Sequence, residues 1–146
     1  MRIIGISSGG GHLTELLTIV RFLPAPYAVI TETDAAERNI VSDFAFIPIR
    51  DPHRSIFGFI RNLGQAYYYA RHLKPDVVIS TGAGMSVPFF LLSKALGSVC
   101  IFVETGARIS TPSMTGRILY PFSSLFIVQN ETLLPFYPKA IVASIL

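Results

Sequence analysis

Charged residues are scarce in this chain of 146 residues. Asp, Glu, Lys and Arg make up 14% of it, against about 25% in typical soluble domains. Hydrophobic residues make up 51%, which is enough for a full core, and we expect apolar surface to remain for a partner or a membrane. The length suits one domain, spanning residues 1–146.

Cysteine occurs once, at Cys100 in an apolar run, which excludes a disulfide framework and is compatible with a reducing compartment. We expect no signal peptide, because serine and glycine interrupt the apolar start of the chain. We also expect no transmembrane helix. The uncharged stretch from 77 to 93 has 17 residues and contains two glycines and a proline, whereas a spanning helix needs about 20 apolar residues.

Positive charge is concentrated between residues 50 and 74, where four arginines and one lysine face one aspartate, a net charge of +4. Such a local excess points to a local anionic partner. Aromatic residues are interleaved with these charges, a mixture suited to peripheral contact with an anionic membrane. The predicted membrane contacts are Arg54, Phe57, Phe59 and Arg61. An ordinary solvated helix face is the alternative, and without a recognised binding motif no nucleic-acid partner is expected.

Short apolar runs alternate with helical patterns along the chain. Strands are predicted at residues 2–7, 27–31, 44–49, 76–80, 99–103 and 125–129, with a final strand or docking segment from 140. Helices are predicted at 12–22, 34–41, 56–73, from 86, and at 111–120, with N-caps at Asp34, Ser55 and Ser86. The alternation predicts an α/β fold with a doubly wound, mostly parallel sheet covered on both faces.

The long helix at 56–73 has an apolar pattern of its own. At helical spacing, its predicted buried stripe is Ile56, Ile60, Leu63, Tyr67 and Ala70.

A glycine-rich turn follows the first strand and opens a helix. Its residues are Ser8, Gly9, Gly10, Gly11 and His12. Backbone N–H groups and the helix dipole favour an anion at such a turn. The dinucleotide fingerprint needs a glycine where Thr14 stands, and the P-loop lysine is missing. A tight turn without ligand is the alternative, and His12 is a solvent-facing helix start, a general base or a ligand contact.

Two further loops follow predicted strands at the same edge, where ligands bind in such sheets. Thr81, Gly82 and Gly84 repeat the glycine-rich pattern after the fourth strand. Glu104 and Arg108 follow the fifth strand. Glu104 is either a catalytic base or a group that orients a substrate hydroxyl, and the alternative is an internal Glu104–Arg108 ion pair that rigidifies the loop. No histidine or cysteine spacing predicts a metal site.

Three segments, 7–12, 74–82 and 102–108, resemble in order and spacing the acceptor-side subunit of the bipartite UDP-N-acetylglucosamine transferase of asparagine-linked glycosylation. They resemble its bacterial capsule and exopolysaccharide counterparts more closely. The resemblance implies a Rossmann-like N-terminal half of a GT-B glycosyltransferase, similar to the enzyme that makes lipid II. It also implies a partner chain that binds most of the UDP-sugar donor and recruitment of that partner to the cytoplasmic, inner face of the cell membrane.

By the same resemblance, this chain binds a polyprenyl-diphosphate-linked acceptor and needs no other cofactor. The implied acceptor contacts are Ser8, Gly9, Gly10, Gly11, Thr81, Gly82, Gly84 and Arg108. His12 is the first candidate base and Glu104 the second, and the chain alone is expected to be inactive. The basic, aromatic segment 50–69 is expected to replace the eukaryotic membrane anchor.

Two other hypotheses stay open at this point. One is a nucleotide- or dinucleotide-binding domain of oxidoreductase type, with Glu32 or Asp34 as the ribose-binding acid. The other is an adaptor that tethers a partner to the membrane and performs no chemistry.

Overall fold

The structure is a computed structural model that describes residues 1–23, 28–38, 45–52 and 55–145. Its strands are β1 (Ile3–Ile6), β2 (Ala28–Glu32), β3 (Phe46–Ile49), β4 (Val77–Ser80), β5 (Val99–Val103), β6 (Leu125–Val128) and β7 (Ile141–Val142). Its α-helices are α1 (Gly11–Val20), α2 (Thr33–Arg38), α3 (Ile56–Leu73), α4 (Ser86–Ala95) and α5 (Met114–Leu119). Short 3₁₀ turns lie at Tyr120–Phe122 and Glu131–Leu133. The predicted boundary residues 27, 39–41 and 44 lie outside the described residues.

The strands form one sheet in the order β3-β2-β1-β4-β5-β6-β7, and every neighbouring pair is parallel. From β1 the chain moves outward through β2 to β3, and it then returns to β4 on the other side of β1. The predicted doubly wound parallel sheet is therefore confirmed. The tail also forms a final strand, since β7 pairs with β6. The winding direction reverses between β1 and β4, and ligands bind at this switch point in open α/β sheets.

Helices cover both faces of the sheet. On one face, α3, α4 and α5 pack on a cluster that includes Phe89, Phe90, Phe102 and Leu119. On the other, α1 places Leu13, Leu16 and Val20 against the sheet. The strands are buried between these layers, which explains why they are apolar runs without alternation.

Helix ends agree with the predicted caps at one position and differ at two. Ser55 caps α3 as predicted, since its Oγ accepts a hydrogen bond from Gly58 N. Ser86 is instead the first residue of α4 and donates its hydroxyl to the carbonyl of Ala83 at 2.7 Å. Asp34 lies inside the first turn of α2 and does not precede it. Lys74 ends α3 in the left-handed conformation, at φ 44°.

The predicted inward stripe of α3 is wrong in most of its members. Ile56, Ile60, Leu63 and Tyr67 are 42–79% exposed, and the buried residues are Asn62, Ala66 and Ala70. Hydrogen bonds to the edge of the sheet explain this orientation. Asn62 donates to the carbonyl of Arg50 at 3.0 Å, and the Tyr69 hydroxyl donates to the carbonyl of Pro48 at 2.9 Å. The two alanines let the helix approach closely, and its large apolar side chains are left outside.

Candidate functional site

The glycine turn lies directly after β1, at the carboxyl edge of the sheet. Gly10 has a φ of +75°, which an L side chain rarely adopts. Helix α1 then begins at Gly11 with no side-chain cap and no acidic residue in its first turn. Uncapped N–H groups at a helix start favour an anion. Gly9 differs from its neighbours, because its N–H donates to Oε1 of Glu32 at 3.4 Å.

The two glycine-rich loops contact each other across the switch point. Thr81, which is fully buried, donates its hydroxyl to the carbonyl of His12 at 2.7 Å. Gly82 has a φ of +123°, and a Cβ at this position would lie 3.1 Å from Cε1 of His12. The structure thus brings His12 to Thr81 and Gly82, which follow it by 69 or more positions in sequence.

The ring of His12 is fixed on one side. Its Nδ1 is buried and has no hydrogen-bond partner, and the ring lies against Gly82. Nε2 is therefore the ring nitrogen that remains for a ligand or a proton.

Glu104 is buried at the end of β5, with 1% of its surface exposed. Its Oε2 accepts hydrogen bonds from Ser113 N at 3.1 Å, Ser113 Oγ at 3.0 Å and the Tyr137 hydroxyl at 3.0 Å. Burial and the neighbouring Glu104 carboxylate raise the pKa of Tyr137 well above its usual range, so Tyr137 stays a donor. Among the described residues no ion pair joins Glu104 to Arg108, and the hydrogen bonds of the Glu104 carboxylate go to Ser113 and Tyr137. Its role as a base stays a prediction, and its burial favours an anchoring role.

Arg108 lies on the exposed part of the loop after β5. Its carbonyl accepts a hydrogen bond from Nδ2 of Asn130 at 2.8 Å. This hydrogen bond fixes the backbone of Arg108, in the loop that follows β5 at the carboxyl edge.

Sequence reasoning missed a buried carboxylate at this edge, Glu15 of α1, which is 9% exposed. Its Oε1 accepts hydrogen bonds from Thr105, Gly106 and Gln129. Glu15 is the first acidic residue in the chain and stands among the core leucines of α1. An acidic residue within that apolar pattern could have predicted this site, because a carboxylate on the buried face of a helix needs hydrogen-bond partners.

Cavities adjoin the carboxyl ends of β2 and β3 and the start of α3. One of about 480 Å³ is lined by Glu32, Asp34, Arg50 and Arg61, among others. Charges of both signs in a cleft suit a ligand that offers hydroxyls as well as negative charge. A larger apolar groove of about 880 Å³ runs from Gly84 to the start of α3, and its apolar lining is Ile56, Phe59, Val87, Met114 and Ile118. Gly84 is thus placed at the groove, and Ser8 stays in the glycine turn.

The first turns of α3 carry most of the predicted membrane contacts. Phe57 is 81% exposed and lies with the exposed Arg61 at the cavity of about 480 Å³, whereas Phe59 is 49% exposed and lines the apolar groove. Arg54 lies outside the described residues. Across the described ranges, no helix combines the length and the hydropathy that crossing a membrane requires. Over the same residues, no group of three or more His, Cys, Asp or Glu side chains is placed to hold a metal ion.

Comparison with solved structures shows which fold class the sheet belongs to. MurG of Acinetobacter baumannii superposes with a TM-score of 0.78 at 16% identity, covering 99% of this chain and 45% of that one. A UDP-GlcNAc 2-epimerase of Methanocaldococcus jannaschii gives 0.73 at 17% identity, covering 97% and 45%. At these identities the likeness concerns the fold alone, and the chain spans less than half of either protein. The Rossmann-like fold expected from the sequence is confirmed.

Comparison with curated proteins gives closer relatives. The human UDP-N-acetylglucosamine transferase subunit ALG14 is 28% identical over an alignment of 174 residues, gaps included, which covers 97% of this chain and 81% of the relative. Its Candida albicans counterpart is 26% identical over 156 residues, covering 89% and 71%. The model of the family "Oligosaccharide biosynthesis protein Alg14 like" matches residues 49–146, more than half of the chain. The predicted resemblance to a glycosyltransferase subunit is confirmed at family level: the chain belongs to the Alg14-like oligosaccharide biosynthesis proteins.

Proposed function

We propose that this chain is the acceptor-binding subunit of a two-component glycosyltransferase. It acts with a partner that carries the UDP-sugar site, and the names of its relatives support N-acetylglucosamine as the sugar. The acceptor is a polyprenyl-diphosphate-linked molecule. The observation that carries the proposal is the contact between the two glycine-rich loops at the switch point, where His12 meets Thr81 and Gly82.

The diphosphate binds at the start of α1. The N–H groups of Gly10, Gly11 and His12 are the donors, because the helix start has no side-chain cap and no acid in its first turn. Gly9 contributes shape only, since its N–H already donates to Glu32. Thr81 and Gly82 are buried, and they position His12 from behind. Gly84 is exposed and forms the opposite wall, and the Arg108 guanidinium approaches from the loop after β5.

His12 acts as the general base through Nε2. The acceptor hydroxyl oxygen forms a bond to the anomeric carbon of the donor sugar, and UDP leaves with the electron pair of the bond that breaks. Nε2 takes the hydroxyl proton. A positioned base of this kind contributes about 10²–10⁴-fold to the rate. Glu104 supports this site indirectly, by holding Ser113 and Tyr137 below the loop after β5.

A partner chain supplies the other half of the cleft. Its curated relatives are named as subunits, which supports a second subunit that closes the donor side.

Membrane contact is made by the first turns of α3. Phe57, Phe59 and Arg61 are exposed there, and apolar side chains next to a cation favour the surface of an anionic bilayer. The groove beside Gly84 opens onto the same region. This placement supports peripheral attachment at the inner face of the cell membrane and recruitment of the partner to it.

The dinucleotide alternative loses support at Glu32. In that hypothesis its carboxylate binds a ribose, whereas here it accepts the N–H of Gly9 within the turn itself. No contact of the described residues favours oxidoreductase chemistry over sugar transfer.

Co-expression with the protein encoded by the neighbouring gene tests the proposal. Sugar transfer from UDP-N-acetylglucosamine to membrane lipid should require both chains. Full activity from this chain alone would refute the two-component arrangement. Activity that survives His12→Ala while the complex persists would favour the adaptor hypothesis.

A further inference from the structure

We propose that Glu15 is a positioning residue that fixes the loop after β5, and with it Arg108, against the glycine turn. The inference rests on the proposed function, because Arg108 contacts the acceptor only if a diphosphate binds at this edge. The contacts of Glu15 do not depend on that function.

The first part of the argument is the number of donors that meet one oxygen. Oε1 of Glu15 accepts from Gly106 N at 2.9 Å, Thr105 Oγ1 at 3.2 Å and Gln129 Nε2 at 3.2 Å. These donors come from two loops, one after β5 and one after β6. A single buried carboxylate of α1 therefore joins three segments of the carboxyl edge.

The second part is that the loop is held from both sides at Gly106. Its N–H donates to Glu15, and its carbonyl accepts from Nδ2 of Asn130 at 3.2 Å. The same Nδ2 reaches the carbonyl of Arg108 at 2.8 Å. Gly106 also lies tightly on Gln129, since an added Cβ would be 3.1 Å from its Oε1. The backbone that carries Arg108 is thus fixed on both flanks.

The third part concerns the other oxygen of Glu15. Oε2 is buried and has no hydrogen-bond partner. A carboxylate buried to this extent is expensive unless its hydrogen bonds are made. A glutamine could present its carbonyl oxygen to the same three donors, and its amide group would replace only the oxygen that has no partner.

The position of Glu15 gives these contacts a functional consequence. It follows His12 by three residues, one turn along α1. Its hydrogen bonds therefore connect the helix that carries the candidate base to the loop that carries the candidate diphosphate contact. Loss of the carboxylate should loosen Arg108 relative to the glycine turn, and acceptor binding should weaken more than turnover.

The test uses the complex with its partner and a short-chain polyprenyl-diphosphate sugar as acceptor. Glu15→Ala is expected to raise the acceptor KM about 10-fold. This corresponds to the loss of about 1.4 kcal/mol of binding free energy, as expected if Arg108 no longer contacts the diphosphate. The donor KM and kcat should change little. Glu15→Gln should restore the wild-type acceptor KM. The matched control is Glu131→Ala, an exposed acid at the same edge. Thr105→Val removes one of the three donors, and it serves if Glu15→Ala does not fold.

Two results would overturn the inference. One is an acceptor KM that stays at the wild-type value in both Glu15→Ala and Thr105→Val. The other is an acceptor KM in Glu15→Gln that is as high as in Glu15→Ala. Hydrogen exchange at the amides of Gly106, Ala107 and Arg108 provides a second readout that needs no activity. Faster exchange in Glu15→Ala supports the inference, and unchanged exchange refutes it. If the wild-type complex transfers no sugar, the proposed function fails, and hydrogen exchange still decides the role of Glu15.

Discussion

The carboxyl edge of the sheet and the outer face of α3 contrast in what they bury and what they expose. At the edge, Glu15, Glu104 and Thr81 are polar, yet they are buried and hydrogen-bonded. On α3 the opposite holds, since Ile56 and Phe57 are about four-fifths exposed. At the edge, hydrogen bonds between polar groups fix the loops, which suits a site that needs a defined geometry. On α3, apolar groups are exposed to solvent, which suits a surface that binds a partner or a membrane.

The largest effect should come from the edge, at His12. Replacing His12 by alanine should lower kcat of the complex by about 10²–10⁴-fold, because no base then takes the proton from the hydroxyl of the acceptor substrate. Initial rates at saturating substrates measure this. His72→Ala is the matched control, since His72 is exposed and stacks on Tyr68. A rate for His12→Ala equal to that of the control would remove His12 from the chemistry.

Glu104 should have the next effect, and on stability. Glu104→Ala leaves Ser113 and the Tyr137 hydroxyl without their acceptor and should lower the free energy of unfolding by about 3 kcal/mol. Urea denaturation of the full chain measures it, with Glu131→Ala as the control. Unchanged stability together with abolished sugar transfer would instead identify Glu104 as the base.

The packing of α3 offers a third test, which compares its two faces directly. Ala66→Leu overpacks the buried face and should cost about 1–3 kcal/mol of unfolding free energy. Leu63→Ala, on the exposed face, should change it by less than about 0.5 kcal/mol. The reverse ranking would mean that the large apolar residues of α3 form the core in solution.

The smallest effect should be seen at the membrane. Arg61→Gln should weaken binding of the chain to anionic vesicles about fivefold, corresponding to about 1 kcal/mol for one basic residue. Vesicle sedimentation at low and high salt measures it, and Arg2→Gln on the opposite edge of the sheet is the control. Equal binding of both variants would show that the α3 face meets a different partner.

The contrast between these regions also explains what the sequence predicts. The parallel, doubly wound sheet, both glycine-rich loops and the edge at which they meet follow from the alternation of elements and the topology of parallel sheets. The contact of Thr81 with His12 realises that expectation. The orientation of α3 did not follow from hydropathy, because hydrogen bonds from Asn62 and Tyr69 to the edge of the sheet decide which side faces inward.

Buried polar contacts were the other part that the sequence left open. The partners of Glu15 are 90 to 114 positions away in the chain, so no local pattern connects them. The partners of Glu104 are nearer in sequence, since Ser113 lies nine and Tyr137 lies 33 positions on, but they belong to two different loops. Such contacts depend on where the loops meet in space, which only the assembled sheet determines.

Hydrogen exchange of the complex, with and without a short-chain polyprenyl-diphosphate sugar, tests the central claim most directly. The acceptor should protect amides at Gly10–His12 and in the second glycine-rich loop at 81–86. It should leave unaffected the basic cavity of about 360 Å³ at the opposite edge, lined by Arg2, Arg71 and Lys74. Protection at that opposite edge, with none in the two glycine-rich loops, would contradict an acceptor site at the switch point.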